Sequence, residues 1–157
     1  MNDTLYLDFE EVVAVYRKMV EKSGGGLSGI RDENGIKSVL GFIQNDDYYP
    51  TIADKLNHLV YSFCSSHFFS DGNKRISITL GAYFLLKNGY YFAARTFLPR
   101  LESIIYHVAA SHISKDTLLD IITCIVYEVD YDESLKMQLA HAMSQDAYTE
   151  QITNDKP

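Results

Sequence analysis

Cysteine is scarce. The chain has two, Cys64 and Cys124, too few for a disulfide framework in a domain of this size, and neither sits in a Cys-x-x-Cys pair. Both lie in apolar stretches and read as buried free thiols. Basic residues are also in short supply: 14 Lys and Arg face 21 Asp and Glu, a net charge of −7. That argues against a general binder of nucleic acid or lipid headgroups, which needs concentrated positive charge. With no basic recognition helix, a transcriptional regulator finds little support. No apolar run approaches the roughly 18 to 20 residues of a membrane-spanning helix. The acidic start, MNDTLYLDFEE, has none of the character of a secretory or organelle signal. The expected location is the cytoplasm, with no membrane and no nucleic acid among the partners. Internal repeats, low-complexity tracts and linker-like stretches are absent as well.

What is present is the composition of one globular domain: 157 residues, 46% hydrophobic and 22% charged, enough chain to bury a sizeable core. The charge is uneven. Residues 130–157 hold six acids (Asp130, Asp132, Glu133, Asp146, Glu150, Asp155) against Lys136 and Lys156, so they carry −4 of the −7.

The periodicity is helical nearly throughout. Phe9, Val12, Val13, Tyr16, Met19 and Val20 form one stripe, with Asp8 as N-cap and Ser23-Gly24-Gly25-Gly26 as the stop. A shorter helix is expected from Asp32 to Ile43. Asn45 to Pro50 reads as a loop or a small hairpin, followed by a helix carrying Ile52, Leu56, Leu59, Val60 and Phe63. From Lys74 to Lys87 apolar residues occur on almost every side, the mark of a buried central helix, ended by Asn88-Gly89. Tyr90 to Phe92 reads as a short extended piece. Leu98 to Val108 and Leu118 to Val129 predict two further helices. Leu135, Leu139 and Met143 predict a last one with a thin apolar face, and Thr149 to Pro157 a frayed end. The fold expected is all-α, with six to seven helices.

Chemistry concentrates in His67-Phe68-Phe69-Ser70-Asp71-Gly72-Asn73-Lys74-Arg75, placed where the buried helix begins. A helix start presents unpaired N–H groups and the positive end of the macrodipole, which together make an anion site. Gly72 permits a tight turn and close approach of the backbone to a ligand. Lys74 and Arg75 add two positive charges where the dipole disfavours them, by a few tenths to about 1 kcal/mol each; a phosphate is the natural reason to accept that cost. Asp71 sets a carboxylate beside the phosphates, and a hard divalent cation such as Mg2+ would reconcile the two. His67 has the right intrinsic basicity for a general base. Base, metal carboxylate and anion cradle together describe phosphoryl or nucleotidyl transfer to a hydroxyl. Singly, each residue has an ordinary explanation: Asp71 as an N-cap, His67 as a half-buried ring, Lys74 and Arg75 as a solvated face.

The segment HFFSDGNKR resembles the signature of the Fic/Doc (Fido) family, His-x-Phe-x-Asp/Glu-Gly/Ala-Asn-Gly/Lys-Arg, at every specified position. Further segments are similar to death-on-curing (Doc-type) toxins: Gly25-Gly26-Leu27-Ser28-Gly29-Ile30-Arg31-Asp32, Tyr49-Pro50-Thr51 with Ala53-Asp54-Lys55, and Lys87-Asn88-Gly89-Tyr90. The resemblance covers roughly residues 5–129, which implies a Fic/Doc domain over 1–129 and an acidic C-terminal helix and tail over 130–157. It implies a helical bundle whose buried central helix follows the motif loop, with a small flap hairpin at 43–51. It implies ATP, or another nucleoside triphosphate, and Mg2+ as cofactors. By resemblance His67 deprotonates the target hydroxyl, Phe69 anchors the loop in the core, and Asp71 binds Mg2+. Ser70, Gly72, Asn73, Lys74 and Arg75 hold the nucleotide phosphates, and the flap residues Asp47, Tyr48 and Tyr49 align the target chain by strand addition.

Two positions choose within the family. Adenylylating members usually have Gly where Lys74 stands and a second Arg where Ile78 stands; both departures resemble the Doc-type toxins, which transfer the γ-phosphate to a Thr of a translation elongation factor. Gly72 stands where the best-known toxin of this type has Ala, and Asp-Gly-Asn-Lys-Arg occurs in many other members. Adenylylation (AMPylation) is therefore the alternative chemistry, and a non-catalytic module binding nucleotide or a partner the second alternative. The inhibitory pattern Ser/Thr-x-x-x-Glu-Gly/Asn found in many Fic proteins is not matched from Thr4, Ser134, Ser144 or Thr149, which implies restraint by a separate antitoxin protein.

Four lesser signals read as ordinary. The glycine cluster at 24–29 lacks the Gly-Lys-Ser/Thr of a phosphate loop. His107 and His112, five apart, do not share a helical face as ligands four apart would, and His58 and His141 are isolated.

Overall fold

The structure is a computed structural model and describes residues 3–24 and 29–154. Over those residues the chain folds into seven α-helices and no strand: α1 (Phe9–Lys22), α2 (Glu33–Phe42), α3 (Ile52–Ser65), α4 (Asn73–Lys87), α5 (Tyr91–Ala109), α6 (Lys115–Val126) and α7 (Glu133–Asn154). Five of them open on side-chain caps written into the sequence, among them α7, where Asp132 accepts from the Leu135 N–H at 2.8 Å. Asp8 accepts from the Glu11 N–H while Glu11 reaches back to the Asp8 N–H, a capping box. Asp32 caps α2 through the Gly35 N–H, Thr51 and Asp54 form a second capping box on α3, and Ser114 caps α6 through the Thr117 N–H.

α4 lies at the centre, packed on α3 and α5 and more lightly on α1. Ile76, Leu80, Phe84 and Leu85 are fully buried, as are Leu56, Leu59, Val60 and Phe63 of α3 and Phe97 and Leu101 of α5. Each such side chain contributes roughly 1.5–3 kcal/mol. Gly81 lets the three helices close up: a Cβ there would lie 2.5 Å from Phe97 Cε1 and 2.9 Å from Val60 Cγ2. The all-round apolar reading of α4 is nearly right, but Tyr83 and Leu86 reach solvent. The far end of α4 is tied to the chain's start. Lys87 Nζ lies 2.7 Å from both Glu11 carboxylate oxygens, and Asn88 exchanges hydrogen bonds with the Leu5 N–H and carbonyl. The Lys87 hydrogen bond holds the Glu11 pKa below the usual carboxylate value, against the opposing pull of burial.

Three expectations need correction. Residues 43–51 form no hairpin. Asn45 Oδ1 accepts from the Asp47 N–H and the Asn45 carbonyl from the Tyr49 N–H, while Lys55 Nζ donates to the Ile43 carbonyl and the Asp46 carboxylate. These bonds close the segment into turns and leave no extended edge. Tyr91 and Phe92 are helical, not extended, because α5 begins there and runs through Pro99. α6 stops at Val126, leaving Val129 exposed. α7 runs to Asn154. It is anchored on the domain by the buried Leu135, Leu139 and Ala142 and by contact with α6.

Candidate active site

The motif loop joins the end of α3 to the start of α4. His67 leaves α3 with a φ of +51°, a left-handed backbone that costs a non-glycine residue about 1–2 kcal/mol. The next two residues are both sunk in the core. Phe68 packs edge-on to Phe63, and Phe69 stacks on Tyr16 with ring centroids 4.0 Å apart. Their backbone is strapped by residues 29–32: the Ser70 N–H donates to the Gly29 carbonyl at 2.9 Å and the Arg31 N–H to the Phe68 carbonyl at 2.8 Å, around an isolated antiparallel bridge between Ile30 and Phe69. Of the upstream segment that resembles the Doc-type toxins, Gly25 to Ser28 lie outside the described residues.

The loop is closed from within by Asn73. Its Oδ1 accepts from the Phe69 N–H at 3.1 Å and its Nδ2 donates to the Phe69 carbonyl at 3.0 Å. The side-chain amide thus faces the protein, and what Asn73 can offer a ligand is its backbone N–H. Ser70 is similar: its hydroxyl donates to the Gly29 carbonyl at 3.1 Å. Asp71 is not the N-cap of α4. That position belongs to Gly72, in the left-handed region at φ +77°, and no side chain caps the helix. Asp71 instead uses Oδ1 to accept from the Gly72 N–H at 2.8 Å, and its carbonyl accepts from the Tyr16 hydroxyl at 3.0 Å. Tyr16 read in the sequence only as a core residue of an apolar stripe; nothing in its spacing separates a packing tyrosine from one aimed at the loop.

His67, Asp71, Lys74 and Arg75 are all exposed. They line one cavity of about 640 Å³, together with Ser70, Gly72 and Asn73 on the loop side. Tyr61, Cys64 and Ser65 of α3 and the α5–α6 corner from Val108 to Ser114 complete it. The volume lies within the range of about 300–1,000 Å³ usual for small-molecule sites. Burial pushes the Cys64 thiol up to about 11, so it lines the wall as a neutral group. Cys64 is buried as expected; Cys124 is only partly so. Arg75 Nη1 donates to Ser23 Oγ at 3.1 Å. Among the described residues neither Lys74 nor Arg75 has a carboxylate partner.

The donor set fits a metal-bound triphosphate. The opening N–H groups of α4 have no intrahelical acceptor, and two cations stand beside them. Among the described residues Asp71 is the one carboxylate in the lining, and no three His, Cys, Asp or Glu side chains are grouped to hold a metal. A divalent cation here would draw most of its ligands from phosphate oxygens and water, the habit of Mg2+.

The turn over residues 43–51 approaches this cavity through an aromatic relay. Tyr49 stacks on His58 with centroids 4.6 Å apart. Lys115 Nζ lies 2.9 Å from His58 Nδ1 and sits over the rings of Tyr49 and Tyr61, the last a cavity residue. Burial, and then the Lys115 charge, push His58 down to about 4, so its imidazole is the neutral acceptor of that pair. Tyr48 is 72% exposed and Asp47 faces solvent. His58, expected to be isolated, is therefore part of a built cluster. So is the other pair: His107 Nδ1 and His112 Nδ1 are 3.3 Å apart where the chain folds back after α5.

Among the described residues no helix is long and apolar enough to cross a membrane. No curated protein matches the chain. The family model that matches is described as Fic/DOC family and spans residues 6–85, just over half of the chain, from the start of α1 through the motif loop and nearly all of α4. On that match, and with the motif loop seated at the mouth of the central helix, the chain belongs to the Fic/DOC family.

Proposed function

We propose that the protein transfers the γ-phosphoryl group of a nucleoside triphosphate to a hydroxyl of a target protein, in the manner of the Doc-type toxins it resembles. Members of the Fic/DOC family are typically nucleotide-dependent transferases. The observation that carries the reading is that one cavity gathers a base, a lone carboxylate and an uncapped, doubly cationic helix start. When bound, Mg2+–triphosphate supplies the transferable group and offsets its own charge. Lys74, Arg75 and the N–H groups that open α4 hold the phosphate oxygens; Asp71 holds the metal. His67 takes the proton of the attacking hydroxyl, so that the new O–P bond forms as the nucleoside diphosphate departs. Tyr48, Asp47 and Tyr49 present a turn to the incoming target. Contact there is through side chains rather than strand pairing.

Ile78 favours this chemistry over adenylylation. It occupies the position of the second arginine of adenylylating members, and it is buried in the core, so it offers the cavity no second guanidinium. The target is a protein hydroxyl, with a translation elongation factor the first to try. Restraint comes from a separate antitoxin. Incubating the protein with γ-labelled or α-labelled ATP and a bacterial lysate tests the proposal. Label from the γ position alone supports it. Label from the α position alone replaces it with adenylylation, and none from either leaves a binding module.

A further inference from the structure

Tyr16 and Met19 of α1 and its C-cap Ser23 touch the motif loop, spaced at i, i+3 and i+7 along one face. We infer that this face is the template that sets the site's geometry, with Tyr16 a positioning residue for Asp71 and Ser23 for Arg75; the inference rests on the function proposed above.

The contacts are specific to the working parts of the loop. Tyr16 is 3% exposed, so no bulk water competes for its hydroxyl. The ring is fixed by its stack on Phe69, and the hydroxyl donates to the Asp71 carbonyl at 3.0 Å. The peptide unit between Asp71 and Gly72 is consequently gripped at both ends. Tyr16 holds its carbonyl, and the Asp71 carboxylate accepts from its N–H at 2.8 Å. Rotation of that unit would swing the carboxylate away and undo the left-handed Gly72 from which α4 starts. Met19 closes the space over the same unit: a Cβ on Gly72 would lie 2.9 Å from Met19 Cε. Ser23, the C-cap of α1, donates its hydroxyl to the Met19 carbonyl at 3.0 Å. The proton of Ser23 is thereby committed, and its oxygen is left to accept from Arg75 Nη1 at 3.1 Å. A buried phenylalanine at position 16 would fill the core equally well. The hydroxyl adds a desolvation cost met by a single acceptor, and that acceptor belongs to the residue proposed to hold the metal.

The test uses Tyr16→Phe, which keeps the ring and its stack, and Ser23→Ala, which changes an exposed cap. Label transfer from γ-labelled ATP is measured across Mg2+ and ATP titrations. Binding of Mn2+ with ATP is followed by electron paramagnetic resonance without any target. A lost hydrogen bond of ordinary net worth corresponds to about fivefold in an equilibrium constant. Tyr16→Phe is expected to raise the half-saturating Mg2+ by about fivefold to tenfold and to weaken Mn2+ binding in step, with the KM for the target unmoved. Ser23→Ala is expected to raise the KM for ATP by about twofold to fivefold and to leave the Mg2+ requirement alone. A Tyr16→Phe protein with wild-type Mg2+ and Mn2+ dependence overturns the template, whatever its melting temperature. Should that variant not fold, an unchanged KM for ATP in Ser23→Ala overturns it. If the wild type binds Mn2+ and ATP but transfers no label, while Tyr16→Phe binds them less well, the template stands and the transferase falls. If neither protein binds them, both fall.

Discussion

α3 and α4 are neighbours in sequence and in space, yet they open in opposite ways. α3 begins on Thr51 in extended conformation, its Oγ1 accepting from the Asp54 N–H at 3.1 Å and the Asp54 carboxylate accepting from the Thr51 N–H at 3.1 Å. Its opening dipole is answered from inside the protein. α4 begins on a left-handed glycine, with no side-chain cap, no acid in its first turn and two cations in its place. The difference separates a helix end closed by its own side chains from one left uncapped, as the proposed phosphate site requires. The cost of the second is offset by burial of Ile76, Leu80 and Phe84 further along the same helix.

The severest way to break this comparison is His67→Ala. Because His67 is exposed, the variant is expected to keep its melting temperature while label transfer falls by about 10²- to 10⁴-fold; transfer at the wild-type rate would remove the mechanism. Next in size is Asn73→Ala, which orphans the Phe69 N–H and carbonyl in one stroke. Urea unfolding should show a loss of about 2 kcal/mol, which would mark Asn73 as a fastener of the loop.

On the α3 side, acid is the sharper tool. His58 titrates at about 4 in the folded protein against an ordinary value of 6.5, so the unfolded chain takes up the proton first. Stability should be flat above the unfolded value and decline as pH falls from 6.5 towards 4, by roughly 1–2 kcal/mol after allowance for solvent screening. His58→Gln should flatten that decline in melting curves taken across the interval. Thr51→Ala should lose about 1 kcal/mol and leave transfer per folded molecule unchanged. The smallest effect runs the other way. Lys74→Glu supplies the acid that the α4 dipole lacks and should gain about 0.3–1 kcal/mol in thermal unfolding without ligand, while calorimetry shows weaker ATP binding.

How far the sequence could be read follows the same division. Caps are local, so Asp8 could be found by inspection and Asp32 as the start of a helix, and the apolar stripes gave the core. The start of α5 could not. Tyr90-Tyr91-Phe92 has the side chains of a strand and Pro99 looks like a boundary, yet packing against α4 carries the helix through both. The turn at 43–51 was misread because the bonds that shape it, from Lys55 to the Ile43 carbonyl and Asp46, come from another helix. At the site, the motif located the residues but not their directions. Asn73 and Ser70 turn inward to tie the loop, and Tyr16 is indistinguishable by spacing from any buried aromatic.

Gly81 carries one last consequence. With Val60 and Phe97 close against its backbone, the central helix can roll or slip along its neighbours only by displacing both side chains. Its mouth behaves as an anvil, stationary while the work is brought to it. The corner after α5, which lines the same cavity, is free of that three-way vice.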